Sequence, residues 1–253
     1  DTEKGEWYAM LFQDHKAIGR VPVLMPCRWE DGWPMLGDEN GKVPPVMKTP
    51  VQGYDEKMEL VVSDNFDKSP KLGLTWQWNH NPDNSLWTLT ERPGYLRLKT
   101  GKVVNSIFEA RNTLTQRTEG PKCSGVIALD FTYMNDGDHA GLAAFCSEPG
   151  TISVVKESGK KYLIMTDRNI EKVRKEFNQD IVYLKMDCDF TTDHAVFSYS
   201  LDDTNWNELG DEFHMIFSMT HFTGNKFAIF NYATKTAGGY VDVDFFRYDK
   251  QSN

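Results

Sequence analysis

Gly19–Gly37 reads GRVPVLMPCRWEDGWPMLG. Two apolar-rich runs flank Asp31-Gly32, a dipeptide that suits the positive φ angles of a two-residue hairpin turn, so the segment predicts two short strands joined by a tight corner. Pro22, Pro26 and Pro34 lack the N–H that a ladder needs, which places the pair near a sheet edge. Upstream, EWYAMLF (6–12) predicts another strand and QDHKAIG (13–19) a polar loop. Three strands, or four with a residue run before Glu6, fill about the length of one propeller blade. A blade hides its faces against its neighbours, so this segment is expected to end a larger propeller whose other blades lie outside this chain or come from another one.

Downstream, GKVPPVMKTPVQGYDEKME (41–59) carries Pro44, Pro45 and Pro50 with little apolar periodicity and reads as extended chain. Short β-branched and aromatic runs follow, among them SGVIALDFTYM (124–134), IVYLKMDCDF (181–190) and KFAIFNYA (226–233), separated by turn signals such as Pro93-Gly94 and Gly238-Gly239. Only residues 170–176 suggest a short helical turn. The expected organisation is a terminal propeller blade over 1–42, a linker over 43–59 and an antiparallel β-sandwich of jelly-roll or lectin-like type over 60–253, all-β throughout.

Bulk properties narrow the partners. The chain has 253 residues, 40% hydrophobic and 13% aromatic, enough for a sizeable core. Lys+Arg 28 against Asp+Glu 37 gives a net charge of −9, which repels nucleic-acid phosphates and anionic lipid. No apolar run reaches the roughly 18 residues of a membrane span, and the N-terminus lacks a methionine and a signal-peptide pattern. A soluble, already trimmed chain is expected, with extracellular and cytoplasmic locations both open. Cys27, Cys123, Cys146 and Cys188 show no metal-ligand spacing and are expected as buried free thiols rather than two disulfides.

Glycoside hydrolysis needs two carboxyl groups flanking the scissile bond. The chain has no Glu-x-Asp-x-x-Glu strand, Gly-x-Ser-x-Gly elbow, His-Glu-x-x-His helix or phosphate-binding glycine loop, so no self-contained active site is expected. Four other patterns carry chemistry. In TWQWNHNPDNSLW (75–87), Trp76 and Trp78 share a strand face beside Asn79, His80 and Asn81: either sugar-stacking rings with amide donors, or core tryptophans before a turn. In YVDVDFFRY (240–248), Asp242 and Asp244 share the face opposite Val241, Val243 and Phe245, as Ca²⁺ ligands with Asp244 the stronger candidate, or as a solvated strand face. ARNTLTQRT (110–118) is polar on both sides, either a polyol-gripping face or a wet outer one. HFTGNKF (221–227) holds Phe222 in a glycine-containing loop, a contact candidate or ordinary edge packing.

Together these residues resemble a known family. FQDHKAIGRVPVLMPCRWEDGWPMLG (12–37) resembles the last blade of the five-bladed propeller of glycoside hydrolase family 43. LGLTWQWNHNPDNSLWTLTERPGYLRL (72–98), ARNTLTQRT and FNYATKTAGGYVDVDFFRY (230–248) resemble the C-terminal β-sandwich of its β-xylosidases, also classed as a family 91 carbohydrate-binding module. The resemblance implies that Arg20 helps hold the hydroxyls of a bound pentose and that the Phe222 loop reaches over the catalytic pocket. It implies that His15 lies near the propeller axis, associated with a central Ca²⁺, and that Asp244 belongs to the acidic strand motif. It also implies an inverting mechanism with an aspartate base, a glutamate acid and a second aspartate, three carboxylates of earlier blades that are absent here. The expected partners are xylo-oligosaccharide or arabinoxylan and an N-terminal catalytic propeller fragment or parent chain. Completion of a β-xylosidase, ahead of an α-L-arabinofuranosidase, stands against a stand-alone xylan- or arabinoxylan-binding module and a purely structural clamp.

Overall fold

The structure, a computed structural model, describes residues 3–48 and 59–251. The expected linker over 43–59 falls mostly on 49–58, outside the described residues. Strands β1 (Trp7–Asp14), β2 (Arg20–Glu30) and β3 (Trp33–Leu36) form an antiparallel sheet in that order. Asp31 and Gly32 turn the β2–β3 corner with φ of 49° and 82°, as the dipeptide predicted.

The prolines need a more local reading than a sheet edge, because β2 is the central strand. The Pro26 carbonyl accepts from Gly37 N–H at 2.9 Å, so the ring of Pro26 also faces the β3 side. β3 pairs only with Cys27–Glu30, and Pro22, in phase with Pro26, faces the stretch of β2 that has no strand on that flank. Proline therefore costs no ladder bond there.

This sheet leaves large apolar side chains bare. Met10, Leu11 and Phe12 are consecutive and all exposed, and consecutive strand residues point to opposite faces, so both faces carry bare apolar side chains, although Met25 of β2 is buried. Trp33 is 73% exposed.

The sandwich begins with β4 (Gln77–Trp78), β5 (Trp87–Thr88), β6 (Leu96–Lys99), β7 (Leu114–Arg117) and β8 (Lys122–Asp130). It continues through β9 (Asp138–Phe145), β10 (Gly150–Glu157), β11 (Lys160–Asp167), β12 (Ile170–Phe177) and β13 (Ile181–Asp189). It closes with β14 (His194–Ser200), β15 (Trp206–Glu208), β16 (Phe213–His214), β17 (Lys226–Ala233) and β18 (Tyr240–Gln251). One sheet runs β12-β11-β10-β9-β17-β7-β4, the other β15-β14-β13-β8-β18-β6-β5 with β16 on β14.

The core lies between them. Phe227 and Ile229 of β17 face Ile127 and Leu129 of β8 and Val241, Val243 and Phe246 of β18, all buried. The alternate residues Ala228 and Phe230 join Ile107, Ala143 and Phe145 in a second cluster, as period-two alternation requires. The helical turn expected at 170–176 is instead β12, paired to β11 through an Arg168-Asn169 corner with φ of 52° and 64°. Ile170, Val173 and Phe177 mimic helical spacing, but the tight corner and the open edge of β11 decide the conformation. All four cysteines are free; Cys123, Cys146 and Cys188 are buried and Cys27 half-buried.

Candidate functional site

The three-stranded sheet meets the sandwich at one seam, where the β1–β2 loop sits on the β16–β17 loop. Asn225 closes it: its backbone N–H and its side-chain Nδ2 donate to the Ala17 carbonyl at 2.9 and 3.0 Å, and Ala17 N–H reaches Asp193 Oδ1 at 3.4 Å. Arg20 N–H donates to the Phe222 carbonyl at 2.9 Å. The backbones touch because Gly19 and Gly224 face each other. Both have positive φ, 86° and 78°, and a Cβ on Gly224 would collide with the Ile18 carbonyl.

This seam brings together Arg20 and Phe222, two residues 202 positions apart in sequence that were singled out separately. The Arg20 guanidinium carbon lies 4.4 Å from the Phe12 ring centre, 5.5 Å from Phe222 and 5.9 Å from Phe217. Its Nε donates to Asp14 Oδ1 at 3.0 Å and Nη2 points at Met219 Sδ at 3.5 Å. Aromatic faces and a carboxylate therefore hold the cation in one pose, while its remaining N–H donors stay available. Beside it opens a mainly apolar cleft of about 630 Å³, walled by Phe12, Val21, Pro22, Leu60 and Phe222 and rimmed by Arg117. Such an arrangement suits a small ring that offers hydroxyl acceptors to the guanidinium and an apolar face to Phe222.

Phe12, Phe217 and Met219 were not foreseen around Arg20. The sequence held a signal for Phe12, because a hairpin pairing Asp14 with Arg20 must pair Phe12 with Pro22. Phe217 and Met219 carried none, since the β16–β17 loop reaches the seam only in the folded chain.

His15 and Asp244 do not come together. His15 is exposed on the β1–β2 loop, where its backbone bonds Gly19 and Ile18. Asp244 is exposed on β18 at a register shift between Val243 and Phe246. That bulge breaks the expected alternation, so Phe246, not Phe245, takes the core position, while Asp242 keeps its register with Arg97 and Asp130. Asp242 is 2% exposed and bound by Arg97 Nε at 2.7 Å, Arg97 Nη2 at 2.9 Å and Arg92 Nη1 at 3.0 Å. Arg92 also reaches Asp130 Oδ2 at 2.6 Å. Partial burial raises the Asp244 carboxyl above its ordinary range and the neighbouring Arg92 pulls it back. Ca²⁺ takes six to eight oxygen ligands. His15 and Asp244 are separate candidates, and among the described residues no group of three or more His, Cys, Asp or Glu side chains could hold a metal ion.

The other patterns are spent on structure. Trp76 is in the core with Nε1 donating to Asp64 Oδ2 at 2.9 Å, and Trp78 packs on Trp87 at 5.1 Å between ring centres. His80 Nε2 bonds the Phe108 carbonyl at 2.7 Å. The strand polar on both sides is not a wet face: Asn112 to Gln116 are buried. Gln116 is buried and its amide bonds both backbone groups of Val62, and Asn112 does the same for Asp83 N–H and C=O. These amides dock irregular chain onto the sheet, satisfying backbone that no strand reaches.

Fold and seam together define a concanavalin A-like β-sandwich that carries an uncovered three-stranded sheet at one end. Residues 63–249 match the family described as beta xylosidase C-terminal concanavalin A-like domain, and the chain belongs to it. The chain is 34% identical over 259 residues to a beta-xylosidase of Formosa agariphila, covering 91% of this chain and 43% of the relative. It is 29% identical to a non-reducing end alpha-L-arabinofuranosidase of Bacteroides ovatus, over 70% of this chain and 34% of that protein. Among solved structures, a bifunctional GH43-CE protein of Bacteroides eggerthii superposes with a TM-score of 0.88 at 43% identity, covering all of this chain and 34% of that one. The chain thus spans less than half the length of these relatives and corresponds to the C-terminal part of a glycoside hydrolase family 43 protein.

Proposed function

We propose that this chain completes an inverting glycoside hydrolase that releases xylose, or failing that arabinose, from xylan-derived oligosaccharides. The three-stranded sheet is the last blade of a propeller whose other blades supply the catalytic carboxylates, in the parent chain or a partner chain, and the sandwich clamps that propeller. Arg20 and Phe222 form one wall of the sugar pocket. The observation that carries the reading is their meeting across the seam beside a cleft: a guanidinium pre-set by Asp14 and three phenylalanines, with an apolar ring alongside. The bare apolar faces of β1–β3 supply the surface that preceding blades would cover. The binding-module alternative loses its expected residues, because Trp76 and Trp78 pack inward. Ca²⁺ enters no step of this reading.

The test uses the chain joined to its N-terminal catalytic part and an aryl β-D-xyloside. Arg20→Ala should lower kcat/KM by roughly 10- to 100-fold, the equivalent of a charged hydrogen bond. Phe222→Ala should act mainly through KM. The chain alone should hydrolyse nothing. Turnover by the chain alone, or an unchanged kcat/KM in both variants, overturns the reading.

A further inference from the structure

On the outer face of the eight-stranded sheet, strand register sets two imidazoles side by side. His194 opens β14 and pairs with His214 at the end of β16, so the two side chains leave the sheet on the same side. Ala195 and Phe213, the next pair, point into the core, which turns the histidines outward. The ring centres are 5.0 Å apart and the planes 33° from parallel. His194 is half-buried and His214 exposed, so solvent reaches the pair. The backbone on both sides of it is tied down: Met215 N–H donates to the Asp193 carbonyl at 2.8 Å, and Arg168 Nη2 donates to the His214 carbonyl at 3.1 Å.

The proton on one ring is fixed. His194 Nδ1 donates to the Thr192 carbonyl at 2.7 Å, because a carbonyl oxygen can only accept, and in the neutral ring this leaves Nε2 with a bare lone pair. Metal-binding histidines are held in the same way, one nitrogen donating to a carbonyl and the other free to ligate. The His214 ring makes no hydrogen bond among the described residues, so its nitrogens are not committed elsewhere. Two imidazoles that ligate one ion at about 2.0–2.1 Å per nitrogen have ring centres roughly 4.5–5 Å apart, and the pair already has that spacing.

The charges nearby do not repel a cation. Asp189, the register partner of His194 on β13, keeps one oxygen on Thr191 and the other on Lys122 at 2.8 Å, which makes it a charged neighbour rather than a third ligand. Arg168, beside His214, is matched by Glu148 at 2.7 Å and Asp167 at 2.6 Å.

We propose that His194 and His214 chelate one divalent transition-metal ion of the zinc type, with water completing its coordination. Imidazole nitrogen suits Zn²⁺, whereas Ca²⁺ and Mg²⁺ take oxygen ligands, and two side chains fall short of the four that close a structural zinc site. The site does not rest on the proposed hydrolase role. A bound ion would bridge β14 to β16 and anchor the start of the loop that carries Phe217, Met219 and Phe222.

The test is titration of the full chain with Zn²⁺, followed by NMR of the imidazole ring signals, with Ca²⁺ and Mg²⁺ as comparison ions. Saturable one-to-one shifts are expected at the His194 and His214 rings in the micromolar range, and none from Ca²⁺ or Mg²⁺ at the same concentrations. His194→Gln and His214→Gln should each weaken Zn²⁺ binding by at least the roughly 10- to 100-fold that loss of an outer-shell partner costs. The double variant should bind little more weakly than either single one, because one imidazole no longer chelates. His214→Gln alters an exposed side chain and keeps the test valid should His194→Gln disturb β14. His15→Gln should leave the shifts unchanged, which separates this pair from the other exposed histidine loop. The proposal is overturned if the two rings show no saturable shift, if Ca²⁺ or Mg²⁺ shifts them equally, if both single variants bind Zn²⁺ as the parent does, or if His15→Gln abolishes the shifts.

Discussion

The sheet of residues 7–36 and the sandwich behind it draw on the same materials, antiparallel strands rich in aromatic and aliphatic side chains, and end in opposite conditions. In the sandwich, Phe227, Phe246, Leu129 and their neighbours are sealed between two sheets. In the three-stranded sheet, Trp7, Met10, Phe12, Trp29 and Trp33 face solvent. The difference is not hydrophobicity but the presence of a second layer. A sheet needs another element against each apolar face, and within the described residues the hydrogen bonds from β1–β3 to the sandwich come from the β1–β2 loop and from Arg20 at the start of β2. A sheet without its own core can thus be held in register by one hydrogen-bonded seam while remaining open to a further layer.

Four substitutions and conditions would break or sharpen this contrast. The largest effect belongs to the sealed layer: Phe246→Ala should cost about 3–5 kcal/mol in chemical denaturation, the expected cost of emptying a fully buried aromatic site. Next is the seam. Gly224→Ala forces a side chain onto a backbone with φ of 78° and into the Ile18 carbonyl, worth about 1–3 kcal/mol. Its signature is faster hydrogen exchange in β1 and β2 with the sandwich amides unchanged; a uniform acceleration would mean that the two layers unfold as one.

The third is pH. Asp138 is buried with one oxygen unpartnered, and burial pushes its carboxyl up to about 6 from 3.8. The folded state binds this proton more tightly than the unfolded one, so its contribution is complete below about pH 4 and is lost as pH rises to about 6. Asp138→Asn should lack that slope, so the difference between parent and variant stabilities should change between about pH 4 and 6, and parallel pH profiles would refute it. The smallest effect is on the bare sheet. Trp33→Ala should change the stability of this chain by no more than about 0.5 kcal/mol. A larger loss when the chain is joined to its proposed N-terminal part would show that another layer covers Trp33 there.

Much of the fold was legible because period-two alternation and turn residues are local properties. The Asp31-Gly32 corner and the strands around residues 124–134 and 226–233 follow from neighbouring residues. The failures share a cause. Residues 170–177 carry apolar residues at both helical and strand-compatible spacing, and only the exposed edge of β11 selects the strand. The Asp242–Asp244 pair read as equivalent because sequence does not show that Arg97, the cross-strand partner of Asp242, and Arg92 bury Asp242 while Asp244, at the bulge, stays exposed. The polar strand at 110–118 read as a binding or wet surface because sequence shows polarity but not the partner, here the backbones of Val62 and Asp83.

For the candidate site, Arg20 and Phe222 were each identifiable through resemblance, but their meeting was not. The sequence by itself determined an all-β chain, its Asp31-Gly32 hairpin and its acidic charge, since each depends on residue type and near-neighbour spacing. Only the tertiary structure decided that Gly19 and Gly224 let two distant loops touch, that three phenylalanines enclose Arg20, and that β1–β3 keeps both faces open. Those outcomes depend on which surfaces come to lie against one another, a property of the whole packed chain that no local pattern contains.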